Sequence, residues 1–266
     1  RAAGAGRRGG AMMSRGGDPQ RRWRVLVLGG WSPGPLDRVR AALRAEVNFD
    51  EPALPMPPSG LRWCLNPFWG LLLLYVGAVL PAMLAWAPEW APGAGLAALL
   101  QIAVVLLSLL LVRLLVAGLV WFAVWDGVWT AERRIREFRP DAVVGFSWGG
   151  GVACWLLANR RWSGPTVLLA PTLSAMSCIA CAPAPKLPAP AESGPVHVFH
   201  ASHDGFCPEA QAQDLEKAGC SVHYCDDEHV LLRSAGDIGR CLRELLRARA
   251  GAPAAGAPDY IGSPAE

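Results

Sequence analysis

Lysine is almost missing from this chain of 266 residues. Lys186 and Lys217 are the only two, and arginine supplies the rest of the positive charge, a bias that points to base composition of the coding DNA more than to a partner. The formal net charge of +3 is small, and no nucleic-acid partner is expected. A disulfide framework is missing as well. Cys64, Cys154, Cys178, Cys181, Cys207, Cys220, Cys225 and Cys241 follow no paired spacing, and thiols scattered in this way suit a reducing compartment. Cys178 and Cys181 make a lone C-x-x-C with no second pair and no histidine pair at ligand spacing nearby, so neither a metal nor a cofactor is expected. Residues 1–22 lack an apolar segment of the kind a signal peptide needs. They are rich in Arg, Gly and Ala and read as disordered, with Met12 a possible true start.

Charge itself vanishes from one long block. Between Arg62 and Arg133 the only charges are Glu89, Arg113, Asp126 and Glu132. Pro67 to Ala87 is an uncharged run of 21 residues, and Leu96 to Trp125 is a run of 30 with Arg113 alone. Each is long enough to cross a hydrocarbon core of about 30 Å at 1.5 Å per residue. Trp63, Trp69, Trp86, Trp90, Trp121, Trp125 and Trp129 gather toward the ends of the runs, as an interfacial belt does. Pro88 to Gly95 reads as the turn of a helical hairpin in a membrane. Two other readings stay open: a hairpin that enters and leaves one leaflet, helped by a kink at Pro81, and an apolar lid on a soluble protein. Arg113 is costly in lipid and is expected to reach toward water.

Outside the block, short apolar strands alternate with helical patterns, which predicts a parallel sheet covered on both faces. The strands are Arg24–Trp31, a weaker Val47–Asp50, Ala142–Val144, Pro165–Pro171, Val196–Ala201 and Cys220–Cys225. The helices are Leu36–Glu46, Asp126–Phe138, Val152–Asn159, Glu209–Ala218 and Ile238–Arg249, with residues 172–195 an irregular loop. Reactive groups in such sheets gather at the carboxyl ends of strands. After the first strand come Gly29-Gly30-Trp31. After Ala142–Val144 comes Gly145-Phe146-Ser147-Trp148-Gly149, a G-x-S-x-G in its required strand–turn–helix context. A nucleophile on so sharp a turn needs small residues two before and two after it, here Gly145 and Gly149. After Val196–Ala201 comes Asp204, and after Cys220–Cys225 come Asp226, Asp227 and His229.

A hydroxyl, a carboxylate and an imidazole thus arrive in the order Ser147, Asp204, His229. With the glycine turn and the elbow, this order resembles the α/β-hydrolase superfamily, and within it the small dienelactone-hydrolase-like enzymes, over about residues 24–58 and 126–247. The usual His-Gly after the first strand is Gly29-Gly30 here, and the apolar insert precedes the elbow where the family's cap usually follows it. The resemblance implies an α/β-hydrolase domain in two pieces (23–62 and 126–249), split by a transmembrane hairpin (63–125) and flanked by disordered ends (1–22 and 250–266). It implies a serine hydrolase of an ester or thioester: Ser147 as nucleophile, His229 as base, Asp204 as its orienting acid, and the backbone N–H groups of Trp148 and Trp31 as an oxyanion hole. Asp226 or Asp227 could replace Asp204, and His203 or His200 could replace His229; His223 reads as packing. A membrane scaffold or lipid-binding protein that kept this fold without turnover is the other reading. The lipid bilayer is the expected partner, with a small acyl ester, an acyl lipid or an acylated protein as substrate. Positive charge at Arg62, Arg133, Arg134 and Arg136 flanks the hairpin on the domain side, which predicts a two-span protein with a cytosolic domain.

Overall fold

The apolar runs read as strands pair into a single sheet. In the computed structural model, which describes residues 22–56, 64–86 and 93–251, the strands are β1 (Trp23–Leu28), β2 (Val47–Asp50), β3 (Ala142–Phe146), β4 (Thr166–Leu169), β5 (Val196–Ala201) and β6 (Ser221–Cys225). Their order is β2-β1-β3-β4-β5-β6 and every neighbouring pair is parallel. β3 and β4 are buried along their whole length; with helices over both faces, no position of a central strand meets water, hence the unbroken apolar run. The chain passes from β1 outward to β2 and then returns to the other side of β1 as β3. That reversal opens a crevice at the carboxyl ends of β1 and β3.

On one face, α1 (Leu36–Leu43) and α9 (Ala235–Gly251) bury Val39, Leu43, Ile238 and Leu242 against Val25, Val144 and Phe199. The other face is covered by α5 (Trp148–Ala158), α8 (Glu209–Lys217) and the end of one very long helix. The hairpin consists of α2 (Pro67–Leu74), a π-helical turn (Tyr75–Val79), α3 (Leu80–Trp86) and then α4 (Ala94–Phe138). Pro81 explains the π turn. It has no N–H for the carbonyl four residues back, and its ring would press on that carbonyl; widening the preceding turn relieves both faults. Two polar contacts pin the hairpin's helices together: Asn66 Nδ2 donates to the Leu119 carbonyl at 3.0 Å, and Tyr75 OH donates to Ser108 Oγ at 2.7 Å. In apolar surroundings such bonds hold helices that dispersion alone would leave free to slide.

Two helical stretches, Pro67–Trp86 and Ala94–Phe138, are long and apolar enough to cross a membrane. At 45 residues, α4 is about 68 Å long, roughly twice a hydrocarbon core. Its two halves differ in what they meet. Leu99, Leu106, Leu107, Leu109 and Leu110 are exposed, whereas Ala117, Leu119, Val120, Val124, Val128, Ala131 and Ile135 are buried in the core. The sequence places a boundary between 125 and 126; the helix runs through it without a break, and Leu119, Val120, Ala123 and Val124 before it already pack in the core. Arg113 stands at the changeover. Its guanidinium donates to the carbonyls of Cys178 and Ile179, the C-terminal end of α6 (Leu173–Ile179). That helix, with the short α7 (Pro190–Ser193), lies where the sequence suggests only loop. At the other end of α4, Arg134 Nε and Nη2 hold both oxygens of Asp50 at 2.6 and 2.8 Å.

Most of the expected disordered ends, Pro57 and Pro58, Arg62 and Trp63, and most of the Pro88–Gly95 turn with Glu89 and Trp90 lie outside the described residues; α9 continues to Gly251. The split character of α4 has a measurable consequence. In detergent, Ile135→Ala is expected to cost about 2–5 kcal/mol of stability, and Leu109→Ala no more than about 0.5 kcal/mol, read from chemical denaturation of the two variants.

Candidate active site

The strand–turn–helix at Ser147 is as tight as its glycines require. Ser147 has φ 51° and ψ −114°, a strained conformation for a residue with a Cβ. It is held there by its neighbours: its N–H donates to the Leu169 carbonyl at 2.9 Å, and its own carbonyl accepts from the N–H groups of Gly151 and Thr172, each at 3.1 Å. A Cβ on Gly149 would lie 2.0 Å from the Leu28 carbonyl oxygen, and one on Gly145 2.8 Å from that of Gly149. Ser147 precedes α5 without capping it through its side chain, so the hydroxyl is free for other partners.

Its partner is His229. Ser147 Oγ is 2.9 Å from His229 Nε2, and His229 Nδ1 is 2.8 Å from Asp204 Oδ2. The other Asp204 oxygen accepts from the N–H groups of Phe206 at 2.8 Å and Cys207 at 3.0 Å. Burial works to raise the Asp204 pKa, but the hydrogen bonds from His229 and from these two amides outweigh it and hold the carboxyl below its ordinary value. Asp204 is therefore a carboxylate at neutral pH, fixed on three sides and aimed at the imidazole.

The competing residues lie elsewhere. Asp227 is buried and accepts from the N–H groups of Glu228, Arg233 and Ser234 and from Ser234 Oγ, at 2.8–3.0 Å. It knots the loop that carries His229, a positioning task for which the sequence offers one signal, an Asp followed by Ser at seven residues. Asp226 pairs with His203 at the exposed surface. His200 is buried against Tyr224, and His223 lies against Phe199, ring centres 4.6 Å apart. Cys207 Sγ donates to the carbonyls of Ala170 and Pro171, and burial pushes its thiol pKa far up, which leaves it no nucleophile.

A cavity of about 450 Å³ opens over Ser147 and His229. Trp31 and Trp148 line it, so the two candidate oxyanion amides belong to residues on its wall; Trp31 is 62% exposed, at the mouth. The rest of the wall is nearly all apolar: Val116, Leu119 and Val120 of α4, Met176 and Ile179 of α6, and Phe206. The α6 side was not legible beforehand. Its only cue is Leu173 and Met176, one turn apart.

Two solved structures superpose on the chain. A protein from Xanthomonas campestris pv. campestris, assigned provisionally to the hydrolases of the alpha/beta superfamily, superposes with a TM-score of 0.50 at 15% identity, over 85% of this chain and 98% of its own. A metagenome-derived lipolytic enzyme superposes with a TM-score of 0.47 at 12% identity, over 86% of this chain and 95% of its own. The chain has an α/β-hydrolase fold. Compared by sequence, it matches no protein-family model and no curated protein. In this α/β-hydrolase fold the hydroxyl, imidazole and carboxylate stand at the carboxyl ends of β3, β6 and β5, on the edge where the sheet reverses.

Among the described residues, two groups could approach a metal: Asp204, Cys207 and His229, and His197, His223 and Cys241. In the first, the imidazole nitrogens are already engaged on either side. In the second, His197 Nδ1 and His223 Nε2 meet at 3.0 Å with ring planes 14° apart, the side-by-side geometry of one N–H···N hydrogen bond, so the two lone pairs do not converge on a third point. The steric case for the elbow is testable. Gly149→Ala is expected to abolish soluble folded protein, whereas Gly205→Ala, which has nothing within 4 Å of the added methyl, keeps the wild-type circular dichroism spectrum and melting temperature.

Proposed function

We propose that the protein is a membrane-anchored serine hydrolase that cleaves an ester or thioester through an acyl-enzyme. The observation that carries the proposal is the continuous chain Ser147 Oγ, His229, Asp204 at 2.9 and 2.8 Å, on the floor of an apolar cavity. Serine at its own pKa attacks poorly, so His229 Nε2 takes its proton as Oγ bonds to the carbonyl carbon. The charge that develops on the carbonyl oxygen is met by the N–H of Trp148, at the positive end of α5, and by the N–H of Trp31 from the glycine turn. The C–O or C–S bond then breaks, His229 returns the proton to the leaving group, and the acyl chain stays on Ser147. Water repeats the sequence: its proton goes to His229, its oxygen to the acyl carbon, and Ser147 leaves with the proton restored. Asp204 holds the tautomer and stabilises the imidazolium throughout. No cofactor takes part in these steps.

The cavity's apolar wall favours an acyl chain on the carbonyl side of the scissile bond. Part of that wall is α4, immediately past the segment whose leucines face outward, so an acyl group held in the bilayer surface is the substrate class the site suits best. A fluorophosphonate probe is expected to label Ser147 in the folded protein, and p-nitrophenyl acyl esters to be turned over. Ser147→Ala removes both, and Asp204→Asn lowers kcat on the order of 10³–10⁴-fold. Absence of labelling with esters left intact would leave the fold as a scaffold or lipid-binding module.

Both halves of the sheet lie on one side of the hairpin, so two spans return the chain to where it began. Arg62 precedes the first apolar run and Arg133, Arg134 and Arg136 follow the second, and all eight cysteines are free thiols, which favours the cytosol. The protein is expected to survive alkaline carbonate extraction in the membrane fraction, with Gly93→Cys modified by an impermeant thiol reagent only from the lumenal or outer side. Release by carbonate would mean a soluble lid; modification only from the cytosolic side would mean insertion in one leaflet.

A further inference from the structure

A second cavity lies on the opposite side of α4. At 100° per residue, Val116, Leu119 and Val120 face the active-site cavity while Gly118, Trp121, Trp125 and Trp129 point away from it. These four, with Phe68, Phe122 and Arg161, line a space of about 440 Å³. The three tryptophans recur every fourth residue and so form one stripe. Their rings are not parallel: the planes of Trp121 and Trp125 meet at 81°, those of Trp125 and Trp129 at 47°, so they stand as walls and not as a stack. Trp155 packs behind, 5.2 Å from Trp121 and 6.1 Å from Trp125, and fixes both. Arg161 places its Cζ over the Trp125 ring, 5.7 Å from the ring centre. It pairs with Glu132, but Glu132 also holds Arg136 at 3.1 Å; one carboxylate between two guanidiniums leaves a positive charge at the rim.

We propose that this cavity binds the headgroup of a choline phospholipid, its quaternary ammonium among the tryptophan rings and its phosphate on Arg161. Aromatic faces set at angles attract a bulky, weakly hydrated cation, and the guanidinium fork suits phosphate oxygens. Neither feature serves an acyl chain, and a site for an anionic lipid would carry a cluster of unpaired basic residues. The height fits as well. Phe68 opens the first hairpin helix, and Gly118 follows Arg113 at the point where outward-facing leucines give way to the domain core, the level at which headgroups lie in the membrane-anchored reading. Tryptophans acting only as interfacial anchors would need no pocket and would not choose among headgroups.

The test needs neither turnover nor a bilayer, so its failure is separate from failure of the hydrolase reading. Full-length Ser147→Ala protein in maltoside detergent is titrated calorimetrically with dihexanoylphosphatidylcholine and with the matching ethanolamine and glycerol lipids. Saturable binding of one choline lipid is expected, with the other two headgroups roughly tenfold weaker. Trp129→Ala and Arg161→Gln are each expected to weaken the choline lipid roughly tenfold, and Trp129→Ala does so with an unchanged denaturation midpoint, because Trp129 is 55% exposed. No binding, equal binding of the three headgroups, or wild-type affinity in both variants would overturn the proposal.

Discussion

One unbroken helix has to satisfy two surroundings. Along its first half α4 offers leucines to whatever lies outside the fold; along its second half it buries Val120, Val124, Val128 and Ile135 against α5 and the sheet. Neither half can be removed without loss to the other, because a helix has no joint at which its faces can be reassigned. The changeover needs a residue suited to both, and Arg113 fills it. Its long stem runs in apolar company, and its guanidinium donates to two carbonyls at the end of α6. The contact also steadies α6, which forms the opposite wall of the active-site cavity.

At the site, two carboxylates on neighbouring strand ends divide the labour. Asp204 faces the imidazole and takes the rest of its hydrogen bonds from backbone amides. Asp227 never meets the imidazole; it spends its oxygens on Glu228, Arg233 and Ser234 and so holds the loop on which His229 rides. Both are held below the ordinary carboxylate pKa, against the upward push of burial, by the hydrogen bonds they accept. The strained serine on the far side of His229 is tolerated because the surrounding amides and the absence of two side chains leave it nowhere else to go.

Much of this was legible in the sequence. Unbroken apolar runs locate the central strands because these are buried on two faces, and the reactive residues stand at strand ends because loops there are free to vary. Gly145 and Gly149 are legible for a steric reason that the contacts at Leu28 and Gly149 make plain. What escaped reading is what depends on distant partners. The helix Leu173–Ile179 has weak local signals and owes its place to Arg113 and to packing under α5. Asp126–Phe138 reads as a helix in its own right, and its continuity with the apolar run is hidden because the composition turns amphipathic just where the surroundings change. The knot at Asp227 draws on amides six and seven residues later, a distance at which no periodic pattern speaks. The tryptophans read singly as a belt, and only the fold sets them at angles around a space beside Arg161.

The continuity of α4 also fixes a geometry. A catalytic domain tied to its anchor by a loose linker could turn and drift over a range of heights. Here the wall of the cavity and the apolar segment are the same rod, with its far end bound to the sheet through Arg134 and Asp50. The mouth at Trp31 therefore keeps one elevation and one heading relative to the apolar segment. Under the proposed membrane anchoring, such a rod is a fixed gauge: groups held at a single depth come within reach of the mouth, and those a few ångströms deeper or floating free above do not.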